Sequence, residues 1–135
     1  MPNIIHTHVK NFIDWFKIKP VIDNKKQKLL FEEREIWMYH CGENIGSEVS
    51  GKGDNYLRPI YILKKLSKYC FIGIPLTSKE KNGTWWKKIK VKETMSWLIF
   101  SQIKNCDSKR LLYKMDKLSQ SHHQEIIQDF KNFLQ

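Results

Sequence analysis

Apolar positions change their period twice along this chain, and the changes divide it into helix, strands and helix. Over residues 4–17, Ile5, Val9, Phe12 and Phe16 recur at spacings of four, three and four, which places them on one helical face. Asn3 is a candidate cap for that helix, and Pro20 predicts its end. Residues 21–28 are polar and basic, a linker or a second short helix. From 35 to 103 short apolar runs rich in aromatic and β-branched residues take over, with strands predicted over 35–40, 60–63, 69–74, 84–91, where the alternation is imperfect, and 95–103. Turn residues separate them, most clearly Asn82-Gly83 within 78–83. A helical turn is expected over 109–112 and an extended piece over 113–117. The helical period then returns in Ile126, Ile127, Phe130, Phe133 and Leu134, with Ser121 and Gln124 spaced as a capping box. This predicts a mainly β, α+β chain: a small antiparallel barrel or sandwich with flanking helices. The expected division is an N-terminal helical extension, 1–30, and a barrel domain, 31–135.

Composition narrows the class. The chain has 135 residues, 41% hydrophobic and 13% aromatic, which excludes a disordered polymer. No apolar run approaches the roughly 20 residues of a membrane helix. The N-terminus has neither the basic start nor the apolar stretch of a signal peptide. Cys41, Cys70 and Cys106 are odd in number and widely spaced, as in a reduced cytoplasmic protein. Lys and Arg number 24 against 14 Asp and Glu, for a net charge of +10. Such an imbalance favours a polyanionic partner, above all nucleic acid, although a lysine-rich surface alone gives the same count.

Candidate chemistry concentrates in 42–78. Gly42, Gly46, Gly51 and Gly53 punctuate a polar loop containing Glu43, Asn44, Ser47, Glu48 and Lys52. The loop is neither a Walker loop nor GxGxxG after a strand. Arg58-Pro59 opens the next strand, and Arg58 offers a planar, permanently charged fork suited to phosphate. Thr77, just after the following strand, offers a hydroxyl at what can be the same mouth. Elsewhere the signals are weaker. His6 and His8 stand two apart on a helix and face different ways. Glu32, Glu33 and Glu35 read as a solvated approach to a strand, and His40-Cys41 lacks zinc spacing. His122 and His123 fall in a first helical turn, where exposed polar residues are expected. No metal site or cofactor is therefore expected. The strand over 84–91 sets Trp85 and Trp86 among Lys87, Lys88, Lys90 and Lys92, a pattern that suits base stacking and phosphate contact or, equally, an aromatic core with a charged edge.

Taken in order, Arg34-Glu35-Ile36-Trp37, Gly46-Ser47-Glu48, Arg58-Pro59, Pro75-Leu76-Thr77-Ser78, Ser101-Gln102-Ile103-Lys104 and Asp107-Ser108-Lys109-Arg110-Leu111 resemble the MazF/PemK toxins of type II toxin–antitoxin pairs. The resemblance runs from about Phe31 to Leu134 and leaves the N-terminal helix outside. It implies an SH3-like or CcdB-like barrel, a homodimer, and metal-independent cleavage of single-stranded RNA, such as mRNA, to 2′,3′-cyclic phosphate and 5′-hydroxyl ends. It also implies a cognate antitoxin whose C-terminal segment fills the RNA groove. The family's catalytic arginine falls on Arg58 and its threonine or serine on Thr77. Some members have Asp before the Gln and Arg two residues after it; here those positions are Ser101 and Lys104.

Attack by a 2′-hydroxyl on its own phosphate needs a proton acceptor, a stabiliser of phosphorane charge and a proton for the leaving oxygen. Arg58 suits the charge, and Thr77 can donate to a non-bridging oxygen. Glu48 is the first candidate base and His40 the second; a salt bridge that merely orients Arg58 is the competing role for Glu48. Asn44, Ser47, Lys52, Ser78, Lys79, Trp85, Gln102 and Lys104 are candidate RNA contacts. The competing functions are a non-cleaving nucleic-acid-binding module and a topoisomerase-poisoning toxin on the same fold.

Overall fold

A computed structural model describes residues 2–26 and 29–135, with side chains from Asn11 onward in those ranges. The first helix begins at Pro2, so Asn3 lies within it rather than capping it, and the side chains of Asn3, Ile5, His6, His8 and Val9 lie outside the described ones. The elements are α1 (Pro2–Asp23), β1 (Glu35–His40), β2 (Leu57–Lys65), β3 (Cys70–Thr77), β4 (Trp86–Val91), β5 (Thr94–Ile99), β6 (Lys104–Asp107), β7 (Leu111–Lys117) and α2 (Gln120–Leu134). The protein is mainly β with flanking helices: a curled antiparallel sheet ordered β4-β5-β3-β2-β1-β7, with β6 also on β3.

The curl has a local cause. β5 and β6 both pair with β3, β5 at Leu76 and Thr77, β6 at Cys70 to Gly73. Between them the chain turns through a 3-10 turn, Phe100–Gln102, whose Phe100 is 1% exposed and anchors the corner. Alternation along the strands divides the core between the two faces of the sheet. Ile36, Tyr61, Ile74, Leu76, Ile89 and Leu98 pack on one face with Ile126 of α2 and, partly buried, Phe130 and Phe133. Trp37, Tyr39, Ile60, Ile62 and Phe71 pack on the other with Phe31, Cys41, Cys106 and Leu111. Each such buried apolar side chain contributes about 2 kcal/mol of transfer free energy.

Several expectations need correction. α1 does not stop before Pro20 but runs through it to Asp23. Proline removes the bond to the carbonyl of Phe16. Beyond it, Ile22 packs with Trp15, Ile18 and Tyr56, and Lys109 Nζ donates to the Asp23 carbonyl at 2.9 Å, which offsets that loss. The buried face of α1 is Trp15, Ile18 and Ile22; Phe16 is 73% exposed. Gly42 explains the choice: a Cβ there would lie 2.5 Å from the Trp15 ring, so the bare backbone is the seat of the indole.

Glu35 is buried rather than solvated. Burial raises its carboxyl, but bonds from Trp37 Nε1 and the Glu32 amide and the Lys114 ammonium at 3.1 Å hold it below the usual range. The strand expected over 95–103 ends at Ile99, because Phe100 turns the chain into the core through the 3-10 turn, and β6 follows from Lys104 as a separate strand. The cap of α2 is Ser119, which accepts from the His122 amide at 3.1 Å. His123 is therefore one turn into α2 and faces inward, bonded to Tyr61 Oη at 2.6 Å.

Candidate functional site

Arg58 on β2 is paired with Tyr39 of β1, so their side chains share a face of the sheet. The β2–β3 pairing sets Ile60 against Pro75, so Arg58 and Thr77 each lie two residues beyond a paired position, at the same end of the two strands. The guanidinium is fixed by two carbonyls: Nε donates to Ser50 at 2.9 Å and Nη1 to Leu76 at 3.0 Å. Among the described residues Nη2 has no protein partner, which leaves one prong of the fork for an anion. Thr77 is 9% exposed, and its hydroxyl oxygen accepts from the Lys79 amide at 3.2 Å. Because the oxygen accepts there, its own proton remains available to donate. Thr77 in turn pairs with Trp97 of β5, and Lys88 Nζ lies 5.7 Å from the Trp97 ring centroid.

The glycine loop, 42–51, closes beside Arg58, which it meets through the Ser50 carbonyl. Gly51 donates to the Gly42 carbonyl at 2.7 Å and forms the neck. A Cβ on Gly51 would collide with the Tyr56 carbonyl, so only glycine passes there. Within the loop, Asn44 Nδ2 donates to the Val49 carbonyl at 2.7 Å and the Asn44 amide donates to Ser50 Oγ at 2.8 Å. Gln102 reaches in from the 3-10 turn, with Nε2 on the Ser47 carbonyl at 3.0 Å and Oε1 accepting from the Val49 amide at 3.3 Å.

A cleft of about 440 Å³ lies between loop and turn, lined by Asn44, Ser47, Glu48, Gln102 and Lys104 with Tyr39 among its other walls. Five candidate RNA-contact or base residues are thus brought to one hollow. Two of them, Asn44 and Gln102, have their amides bonded to protein. Lys52 and Ser78 are exposed away from the cleft lining. Trp85 is 55% exposed, its ring tilted against that of Trp86 with centroids 5.7 Å apart, and its carbonyl accepts from the Phe100 amide at 2.9 Å, which ties it to the turn carrying Gln102.

Glu48 is exposed, and its carboxylate accepts from the Ile45 amide at 3.0 Å. Among the described residues no ion pair joins it to Arg58. His40 follows Tyr39 on β1 and therefore faces away from Arg58; its Nδ1 bonds to the Asn55 carbonyl at 2.9 Å. Sequence reasoning missed Ser50, whose carbonyl orients Arg58, and Tyr39, Arg58's partner on β1. Burial pushes the Tyr39 phenol well up, so it stays protonated and donates to Cys41 Sγ at 3.1 Å. Burial likewise pushes the Cys106 thiol up to about 12. Among the described residues no three His, Cys, Asp or Glu side chains converge as metal ligands.

No protein-family model and no curated protein matches this chain. Its fold is similar to that of a chain in a solved structure of an endoribonuclease in complex with its cognate antitoxin, from a mycobacterial species. The TM-score is 0.57, the identity 9%, and the likeness covers 78% of this chain and 95% of that one. At that identity the likeness is one of fold.

Proposed function

We propose that this chain is the toxin of a type II toxin–antitoxin pair, a MazF/PemK-type endoribonuclease that cuts single-stranded RNA without a metal ion. The observation that carries the reading is the Arg58–Thr77 pair: a guanidinium held by two carbonyls across from a hydroxyl whose proton is free to donate. The similarity in fold to an endoribonuclease bound to its antitoxin supports the same class.

In the reaction, a ribose 2′-oxygen loses its proton and bonds to the adjacent phosphorus, and the bond from phosphorus to the 5′-oxygen breaks. The products are a 2′,3′-cyclic phosphate and a 5′-oxygen that takes a proton. Arg58 stabilises charge on the phosphorane, and Thr77 donates to a non-bridging oxygen. Glu48, on the loop wall of the cleft, is the candidate proton acceptor. Lys104 in the cleft, Lys79 beside Thr77, and Lys52 and Ser78 on the surface around it supply further contacts to the strand. Exposed Trp85 offers a face to a base. A cytoplasmic homodimer held in check by an antitoxin completes the reading.

Incubating the protein with long RNA in EDTA and mapping the new ends tests this. Discrete products with 5′-hydroxyl ends are expected. Intact RNA that shifts in mobility would instead favour a binding module, the reading that exposed Trp85 and the Lys81 ammonium over the adjacent Trp86 ring support.

A further inference from the structure

We propose that Gln102 is a positioning residue that latches the glycine loop against the barrel and so aims Arg58; the inference rests on the endoribonuclease reading. Both ends of its amide are engaged by the loop backbone, at Ser47 and Val49. An amide N–H can only donate and a carbonyl can only accept, so these two partners fix which way the side-chain amide points. One N–H and one lone pair remain, but their directions are set by the loop.

What it holds is a connected unit. Asn44 bonds to both Val49 and Ser50, so 44–50 is braced from within. Among the described residues, the tip of this loop is hydrogen-bonded on one side to Cys41, at its own base, and on the far side to Gln102. Val49 is followed directly by Ser50, whose carbonyl accepts from Arg58 Nε. The latch therefore acts one residue away from the atom that sets the guanidinium plane. Its post is firm: Gln102 ends the 3-10 turn whose Phe100 is buried in the core and whose amide is bonded to the Trp85 carbonyl. When the latch is broken, Ser50 drifts, and the Arg58 fork loses one of the two carbonyls that orient it.

The test compares Gln102→Ala, which loses both bonds, with Gln102→Glu, which keeps an acceptor for the Val49 amide and loses the donor to Ser47. Two readouts are taken: steady-state cleavage of an RNA oligonucleotide, and hydrogen exchange of the Val49 amide by NMR. Gln102→Ala is expected to lower kcat by about 10- to 100-fold, with KM within about twofold, as misplacement of a catalytic group does. Val49 exchange should quicken in Gln102→Ala, and Gln102→Glu should fall between it and the unaltered protein in both measures. A rise in KM with kcat intact would overturn the proposal and make Gln102 an RNA contact. Unchanged Val49 exchange in a folded Gln102→Ala would also overturn it. Should the unaltered protein cut no RNA, the endoribonuclease reading fails, and the exchange measurement alone still decides whether the latch exists.

Discussion

Arg58 donates from Nη1 to the Leu76 carbonyl at 3.0 Å, the carbonyl of the peptide that leads into Thr77. The backbone that carries the hydroxyl thus also steers the guanidinium, and the two groups are set by one strand pairing rather than by separate loops. Groups placed on strands hold their geometry better than groups on loops.

Truncating either member of the pair should be costly. Arg58→Ala and Thr77→Ala are each expected to reduce RNA cleavage by at least ~100-fold, the scale of losing one transition-state donor. Arg58→Lys should not restore it, because an ammonium cannot bond two carbonyls in one plane and still present a prong. Thr77→Ser keeps the donor and should stay within about tenfold of the original rate. Initial rates on an end-labelled oligonucleotide measure all four. Near-original cleavage by either alanine variant would remove that residue from the mechanism.

The docking of α1 rests on Trp15, which is 7% exposed against Gly42 and Tyr56 and has Arg110 over its ring. Trp15→Ala should destabilise the protein by about 3 kcal/mol, the usual cost of emptying a buried aromatic site. Phe16→Ala, at a position 73% exposed, should change stability by less than about 0.5 kcal/mol. Urea denaturation of the two variants side by side checks the assignment of faces. Equal losses would contradict it.

The Tyr61–His123 contact predicts a pH dependence of stability. Burial holds the His123 imidazole below its ordinary value of 6.5; Arg34 pushes it the same way and Glu33 opposes them. The unfolded chain then binds the proton more readily than the folded one. Stability should be full above about pH 6.5 and fall as pH drops from there through the lower folded value. Denaturation midpoints between pH 7.5 and about 5 measure the slope, above the range where carboxylates titrate. His123→Gln should flatten it; an unchanged slope in that variant would assign the effect to another group.

How much of this was legible in the sequence varies with the physical cause. The strands from Glu35 to Val91 and the closing helix are readable because short apolar, β-branched runs and helical period are local signals. The sequence does not single out the buried face of α1, because Phe12 and Phe16 carry the period as well as Trp15 does. What selects Trp15 is the missing Cβ at Gly42, a tertiary fact. β6 was missed because Lys104 to Asp107 has one buried side chain, Cys106, and so too little pattern to register. Arg58 and Thr77 could be singled out by residue type and order. The carbonyls of Ser50 and Leu76 that orient Arg58 could not, since backbone acceptors leave no trace in side-chain identity. The sequence makes His123 a surface residue because Ser121 with Gln124 fits the capping box better than Ser119, the actual cap, and a two-residue shift is more than half a turn around the helix.

The proposed mechanism requires the 2′-hydroxyl as nucleophile. The direct measurement is cleavage, in EDTA, of an RNA oligonucleotide containing a mapped cut site beside the same oligonucleotide with a single 2′-deoxy nucleotide on the 5′ side of that bond. The all-ribose strand should be cut to a 2′,3′-cyclic phosphate, and the substituted bond should remain intact while other sites are unaffected. Cutting of the deoxy-substituted bond at a comparable rate would contradict the mechanism built on Arg58 and Thr77.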